Sequence, residues 1–189
     1  SVPLWPSIGG IETVSAVLAE QFAQRGHAVT VATLTPSSTE PESPYAVVRR
    51  PDAARLRALM RSADVVFHNN ISLQFAWPGL GLRKPWVVAH HTWIPHQGSG
   101  RLKHRVLPMA RHIAVSQAIA DSLAVPSVVI HNPYRDDVFR PVEGVARERD
   151  VVFVGRLVSD KGAPLLLQAL AQLRGQGLAL QATLVGDGP

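Results

Sequence analysis

Two cations near the carboxyl end of the chain stand where a diphosphate could bind. A Val-rich run ends at Gly155, and Arg156 and Lys161 then precede a leucine-rich helical pattern. The N-terminus of a helix presents free backbone N–H groups and a partial positive charge, which suits an anionic group. Ser159 or Asp160 is expected to cap this helix. A Walker A loop is disfavoured because its glycines precede its lysine, whereas two surface cations beside a helix start remain an alternative.

Two adjacent glycines, Gly9 and Gly10, form a second candidate site at the start of the helical pattern that contains Val14 and Phe22. Without side chains, they allow a phosphate or a sugar to approach the backbone closely. Glu12 lies in the first turn, where a carboxylate complements the helix dipole. An ordinary glycine-rich turn is the alternative.

Histidines follow a third apolar run, at His90 and His91. A histidine after a strand can hydrogen-bond a sugar or transfer a proton near pH 7. A metal site with His96 is disfavoured because no carboxylate or thiolate lies at ligand spacing nearby. A structural histidine is the main alternative, and we expect the chain to need no metal.

Short apolar runs and helical patterns alternate along the chain, which is typical of parallel βαβ units. The predicted strands are 29–34, 46–49, 64–67, 86–89, 112–115, 127–130, 151–154 and 179–185. Four helical patterns lie around residues 14–22, 56–60, 119–123 and 166–173, and Gly26 and Gly175 lie at or near the ends of the first and the last. Continuous rather than alternating hydrophobicity predicts an α/β fold, a Rossmann-like parallel sheet with helices on both faces.

A polar stretch at 132–148 has no periodicity and predicts an interdomain linker. We therefore expect residues 1–142 to form an N-terminal Rossmann-like domain that includes the start of the linker. Residues 143–189 are expected to begin a second, C-terminal domain. They contain one βαβ unit, which is too small to be a complete domain.

Composition excludes several classes of protein. The 189 residues are 46% hydrophobic and include no cysteine, so a core can form and disulfides and thiol catalysis are excluded. The net charge of +5 is scattered, without the aromatic pattern of RNA-binding sheets. Because no apolar stretch reaches the length of a membrane span, we expect a cytoplasmic chain that makes no nucleic-acid contact.

A basic segment, 101–107, contains the densest group of cations. Its members are Arg101, Leu102, Lys103, His104, Arg105, Val106 and Leu107. The simplest interpretation is a solvated helix face. The alternative is a basic amphipathic helix lying on an anionic membrane, which would place the chain peripherally at the inner face of the membrane.

Taken in order, several segments resemble the retaining glycosyltransferases of family 4, whose GT-B architecture has two facing Rossmann-like domains. The segments are 6–12 (PSIGGIE), 91–92 (HT), 115–116 (VS), 130–133 (IHNP), 154–156 (VGR) with 161–162 (KG), and 186–189 (GDGP). The resemblance covers nearly the whole chain. It implies transfer of a sugar from a nucleotide diphosphate sugar to a carbohydrate, lipid-linked or small-molecule acceptor with retention of configuration, without a cofactor or a metal.

The resemblance also implies roles for individual residues. The residues implied to bind the donor are Gly9, Gly10, Glu12, Arg156, Lys161, Gly186 and Gly188, and those implied in catalysis are His91, Arg156 and Lys161. His91 would lie near the transferred sugar. The two cations would bind the diphosphate and stabilise the charge that develops on it. The last two glycines would lie close to the nucleotide base.

The sequence departs from the family pattern at its end, because it stops before the paired-glutamate motif that holds donor hydroxyls. We therefore expect this polypeptide alone to have little or no transferase activity. A non-catalytic GT-B-like binding or regulatory partner of a full-length enzyme is the alternative. A sugar-nucleotide epimerase would need a buried acid/base set that the sequence does not reveal.

Overall fold

A computed structural model describes residues 4–7, 9–39 and 42–188 of the chain. It divides into two compact units, unit 1 (Ser1–Asp136) and unit 2 (Asp137–Pro189). The domain boundary predicted after residue 142 lies slightly later, within the same exposed polar stretch.

Strands and helices alternate along the described residues. The helices are α1 (Gly10–Gln24), α2 (Ala53–Ser62), α3 (Leu73–Ala76), α4 (Ser99–Val106), α5 (Gln117–Ser122) and α6 (Ala163–Gly175). The strands are β1 (Thr30–Thr33), β2 (Ala46–Arg49), β3 (Val66–Asn69), β4 (Trp86–His90), β5 (Arg111–Ala114), β6 (Val128–Val129), β7 (Val151–Val154) and β8 (Ala182–Val185). Short 3-10 turns occupy Trp77–Gly79, Leu107–Met109 and Ser159–Lys161.

All strand pairs described are parallel, which confirms the predicted α/β class. Unit 1 contains the pair β1-β2 and the four-stranded order β3-β4-β5-β6, and unit 2 contains the pair β7-β8. In the register of β3 on β4, Asn69 lies opposite Ala89. The predicted strand 64–67 begins and ends two residues too early, because the observed strand includes the polar residues His68 and Asn69. Both are buried members of the strand.

Helix ends follow the signals in the sequence at three places. Gly26 follows α1 with a φ of 87°, and the N–H of His27 bonds the carbonyl of Phe22, as in a Schellman motif. The side chain of Ser116 accepts a hydrogen bond from the N–H of Ile119 and caps α5. Asp52 caps α2 in the same way.

The predicted cap of α6 is wrong. Neither Ser159 nor Asp160 caps it, because both lie in a 3-10 turn that precedes the helix. The N-cap is Gly162, whose φ of 83° lies in the left-handed region that favours glycine. The chain thus turns sharply between Lys161 and the helix.

The core of unit 1 lies between its helices and its parallel strands. Three buried clusters form it: Ile71, Val88, Ile94 and Leu107; Leu4, Ala19 and Val31; and Leu56, Met60 and Phe75. The third cluster also packs against Ala32 of β1 and Val66 of β3. Side chains of α2 and α3 therefore pack against β1 and β3. This packing also holds the loops that follow the carboxyl ends of these strands.

Unit 2 buries little of its apolar surface. Among its described residues only Ala163 is buried. Val154 is 75% exposed and Leu165 69% exposed, although both lie in regular elements. Burial of side chains of this size normally stabilises a protein. Unit 2 therefore has a large apolar surface that is available for packing against another surface.

Candidate functional site

In unit 1, the carboxyl ends of β3 and β4 bring His91 next to Asn69. His91 Nε2 lies 2.6 Å from Asn69 Oδ1, and Asn69 Nδ2 donates to the carbonyl of Ile11 at 3.0 Å and to Ser15 Oγ at 2.7 Å. Since a carbonyl can only accept, the amide nitrogen of Asn69 must face α1 and its oxygen must face the imidazole. His91 therefore carries a proton on Nε2.

This tautomer leaves Nδ1 of His91 as the ring atom that can accept a hydrogen bond. Burial lowers the pKa of His91 below its usual 6.5, so the ring is neutral at pH 7. A neutral imidazole with a fixed donor and an available acceptor can bind a sugar hydroxyl or accept a proton.

The two glycines at the start of α1 differ in their surroundings. A Cβ at Gly9 would collide with the Glu12 carboxylate, whereas a Cβ at Gly10 would meet nothing within 4 Å. Glu12 in turn accepts a hydrogen bond from Ser7 Oγ at 2.9 Å, so it bonds the loop that precedes α1. Gly10 is therefore the glycine whose Cα faces open space, and Gly9 makes room for the carboxylate.

The residues that flank His91 and Asn69 are paired as well. Asn70 has a φ of 71°, and its side-chain amide donates to Thr92 Oγ1 at 3.2 Å. Asparagine tolerates this left-handed conformation better than most residues. The two strand ends are thus linked by two side-chain hydrogen bonds, one on each of two successive residues.

The loop after β4 is held against α4. A Cβ at Gly100 would overlap the carbonyl oxygen of Pro95, so only glycine permits this close approach. The rings of His96 and His104 stack with centroids 4.7 Å apart. His96 thus packs on α4 through its ring.

The basic segment does not form the predicted amphipathic face. Leu107 is 1% exposed and belongs to the core, Val106 packs against that core, and the His104 ring is half-buried. Leu102, at 53% exposure, is the apolar member that faces water. Contact with an anionic membrane therefore stays a prediction that depends on the cations of this segment alone.

A chain of buried imidazoles links β4 and β5. His112 Nε2 donates to the carbonyl of Leu107 at 2.8 Å, so its Nδ1 accepts from His90 Nε2 at 2.9 Å. His90 is fully buried, and burial together with the neighbouring His112 and His91 lowers its pKa to about 4. His90 is therefore a structural histidine.

In unit 2, the two predicted cations lie beside one carboxylate. Lys161 Nζ lies 3.0 Å from Asp160 Oδ2, and both side chains are exposed. The hydrogen bond and charge of Lys161, with a smaller effect of Arg156, hold the pKa of Asp160 below its usual value. An exposed ion pair of this kind is weak, so an anion with a higher charge could replace the carboxylate.

The glycines after β8 lie against the loop after β7. A Cβ at Gly186 would overlap the carbonyl of Gly155, and the N–H of Leu157 donates to the carbonyl of Asp187 at 2.7 Å. A Cβ at Gly188 would lie 3.0 Å from the Leu157 carbonyl oxygen, which is close but not an overlap. The loop that carries Arg156 is therefore fixed by the loop after β8.

The structure brings the predicted residues together in two groups. His91 is connected through Asn69 to the first turn of α1, which begins at Gly10. Arg156 and Lys161 lie together in unit 2. The sequence analysis does not include Asn69. Its position is nevertheless informative, because it ends a strand that neighbours the strand before His91, and ligands bind beyond the carboxyl ends of such strands.

Among the residues described, no three His, Asp or Glu side chains are placed to share a metal ion.

Comparison with known proteins identifies the fold and the family. The sequence profile of Glycosyltransferase Family 4 matches residues 8–138. The crystal structure of AviGT4, a glycosyltransferase involved in avilamycin A biosynthesis, matches with a TM-score of 0.58 and 24% identity, over 96% of this chain and 50% of that one. The chain thus spans about half the length of this solved structure. No curated protein matches it significantly. Over its described residues, none of its helices has the length and apolarity needed to cross a membrane.

The family profile covers well over half of the sequence and includes the first turn of α1, Asn69 and His91. AviGT4 supports the GT-B-like arrangement of parallel strands and helices across both units. On these grounds the chain belongs to glycosyltransferase family 4.

Proposed function

We propose that this chain is the acceptor-side part and the first donor-binding part of a glycosyltransferase that uses a nucleotide diphosphate sugar. The proposal depends mainly on the hydrogen bonds of Asn69, which connect the neutral imidazole of His91 to the carbonyl of Ile11 in the first turn of α1. These residues lie within the part of the chain that matches the family. Retention of configuration, independence from metal and low activity of this chain alone belong to the same proposal.

In unit 2, Arg156 and Lys161 bind the diphosphate of the donor. Their charges, together with the turn at Gly162, suit two phosphate groups, and release of Asp160 frees the ammonium of Lys161. As the glycosidic bond breaks, negative charge accumulates on the departing diphosphate, and the same cations stabilise it. Gly186 and Gly188 have no side chains, so the loop after β8 can pass close to the nucleotide base.

In unit 1, His91 and Gly10 act on the sugar and the acceptor. The free Nδ1 of His91 accepts a hydrogen bond from a hydroxyl group, and Gly10 lets the ligand approach the first turn of α1. The reaction is proposed to proceed by front-face attack on a cation-like sugar, without a covalent intermediate.

Binding of a nucleoside diphosphate tests the role of the cations. By calorimetry with UDP, GDP and ADP in turn, we expect Arg156→Ala and Lys161→Ala each to weaken binding about tenfold or more, because each removes a charge-assisted hydrogen bond. Arg174→Ala is the matched control, since Arg174 lies in the last turn of α6, at the opposite end of the helix. Equal losses for all three variants would point to nonspecific attraction and contradict the proposal.

Gly10→Ala tests whether a ligand approaches the start of α1. The added methyl group meets no protein atom within 4 Å, and alanine is the better helix former, so stability is expected to stay the same or rise slightly. Transfer from a nucleotide sugar, assayed in a full-length enzyme that contains this segment, is expected to fall about tenfold or more, because the methyl group occupies space that the ligand needs.

Gly175→Ala is the control for this variant, since Gly175 is also helical and also open to solvent. Thermal unfolding and the transfer rate are measured for both proteins. A Gly10→Ala protein that transfers sugar at the normal rate would remove Gly10 from the site.

The apolar surface of unit 2 favours a second candidate function, a non-catalytic partner that docks on another glycosyltransferase polypeptide. Val154 and Leu165 are the most exposed large apolar residues of its regular elements. A docking protein would keep its partner when Arg156 is replaced by Ala, whereas an enzyme would lose turnover. Pull-down and transfer assays on that variant separate the two functions.

A further inference from the structure

A groove lies beyond the carboxyl ends of β1 and β2, beside the start of α2 and the α3 helix. It has a volume of about 250 Å³, and its lining includes Leu34, which directly follows β1, and Pro51, which follows β2. Ligands of open parallel sheets bind at this edge of the sheet. Neither His91 nor Asn69 is among the described residues that line the groove, so it is separate from the site around His91.

Trp77 lines this groove and is largely open to water. Its exposure is 58%, although tryptophan is on average one of the more deeply buried residues. The turn that contains it is held on α2, because Arg57 Nη1 donates to the carbonyl oxygens of Pro78 at 2.6 Å and Leu80 at 3.4 Å. The indole of Trp77 is therefore a flat apolar surface in water, on a fixed segment of backbone.

The rest of the lining combines an apolar floor with a polar rim. Leu56, Phe75 and Pro78 are buried, whereas Asp52 and Gln74 are exposed. The amide of Gln74 can both donate and accept hydrogen bonds. The carboxylate of Asp52 accepts a hydrogen bond of 2.7 Å from a backbone N–H at the start of α2, where the helix dipole partly balances its charge.

This lining favours a neutral ligand that has hydroxyl groups. No Lys, Arg or His side chain is among the described residues of the lining, so none compensates an anionic group. A fully apolar ligand would remove water from the polar rim without replacing its hydrogen bonds. A pyranose ring meets both requirements, because its C–H face covers an aromatic ring and its hydroxyl groups lie around its edge. The volume is below the range of about 300–1,000 Å³ that is typical of larger ligands, so it suits a single ring.

We propose that this groove binds one pyranose ring of a neutral saccharide, which stacks on the indole of Trp77 and forms hydrogen bonds to Gln74 through its hydroxyl groups. The binding itself depends on the groove alone. That the saccharide is part of the acceptor rests on the proposed function, because the groove and His91 lie at the same edge of the strands of unit 1.

Titration of the ¹⁵N-labelled 189-residue chain with the methyl glycosides of glucose, galactose, mannose and N-acetylglucosamine tests the proposal. The indole N–H signal of Trp77 is assigned through its loss in Trp77→Phe. At least one glycoside is expected to move this signal, with saturation at millimolar concentration. Sorbitol has the hydroxyl groups without the ring, and cyclohexanol has a ring with a single hydroxyl group, so neither is expected to move it. A signal that no glycoside moves, or that sorbitol or cyclohexanol moves as far, would overturn the proposal.

Substitutions in the groove separate stacking on Trp77 from a general effect of exposed tryptophans. Saturation transfer from the protein to the C–H protons of the glycoside measures binding without a tryptophan signal. Trp77→Ala is expected to weaken binding about tenfold and Gln74→Ala about fivefold. Trp93→Ala is the matched control, because Trp93 is 67% exposed and is not among the described residues of the lining.

Equal binding by the Trp77→Ala and Trp93→Ala proteins would show that the sugar does not stack on Trp77, and the proposal would be wrong. The measurement requires neither a donor nor turnover, so it is independent of the proposed function. A chain that binds the glycoside but not UDP, GDP or ADP would contradict the proposed function and leave the saccharide site standing.

Discussion

Acidification is expected to unfold unit 1 because two of its buried histidines must gain a proton that the native state excludes. The pKa values of His68 and His90 are lowered from 6.5 to about 4, in both cases chiefly by burial. Between these values the unfolded state binds more protons than the folded state, so stability falls as the pH falls. The loss begins near pH 6.5 and continues until the folded state itself takes up protons near pH 4.

The magnitude of this effect is comparable to the whole stability of a domain. A shift of this size corresponds to about 3 kcal/mol for each histidine, against a typical total of about 5–15 kcal/mol. Chemical denaturation at a series of pH values measures it. Each histidine contributes a slope of up to about 1.4 kcal/mol per pH unit between pH 6.5 and 4.

His68→Phe isolates one of the two contributions. It keeps a ring against Trp86 and removes two unpartnered nitrogens, so the slope should fall by about 1.4 kcal/mol per pH unit with stability retained at pH 7. His27→Phe makes the same substitution at an exposed histidine and is the matched control. An identical slope in both variants would mean that His68 titrates normally in the folded chain.

The sequence predicted the fold better than it predicted the connections within the site. Alternation of apolar runs and helical patterns is local information, and it located all eight described strands. The hydrogen bonds of Asn69 join residues 58, 54 and 22 positions apart, so no local pattern could reveal them. The strand that contains Asn69 also extends two residues beyond its predicted end, because the polar residues His68 and Asn69 are buried within it.

Non-local structure also explains why two predictions are wrong, the amphipathic face of the basic segment and the cap of α6. Val106 and Leu107 follow cations in the sequence and suggested an amphipathic helix, but the core behind α4 takes both. Ser159 and Asp160 are good capping residues, yet the chain uses the left-handed Gly162 instead. In each case a tertiary contact or a turn outweighs a correct local preference.

Asn69→Asp is expected to change the protonation of His91 more than any other single substitution in the site. The native amide oxygen accepts from Nε2 without a charge, and burial keeps the pKa of His91 below 6.5. A carboxylate at the same place favours the imidazolium and should raise this pKa by about one unit or more. The variant also replaces the amide donor that bonds the Ile11 carbonyl, so the first turn of α1 loses its anchor.

Titration of the His91 Cε1–H signal measures the shift in the 189-residue chain, without any assay of turnover. In transfer assays on a full-length enzyme that contains this segment, the variant should lose about 100-fold at pH 7, mainly because the first turn of α1 loses its anchor and the ligand is misplaced. The smaller part of the loss, which comes from protonation of the ring, should recover at higher pH. Asn70→Asp is the matched control, since it makes the same change one residue later, where the amide contacts Thr92 instead. If Asn70→Asp shifts the pKa of His91 as far as Asn69→Asp does, a general effect of negative charge explains the result and Asn69 has no special role. If only Asn69→Asp shifts it and transfer is unaffected, Asn69 does set the state of His91, but His91 does not act in the reaction.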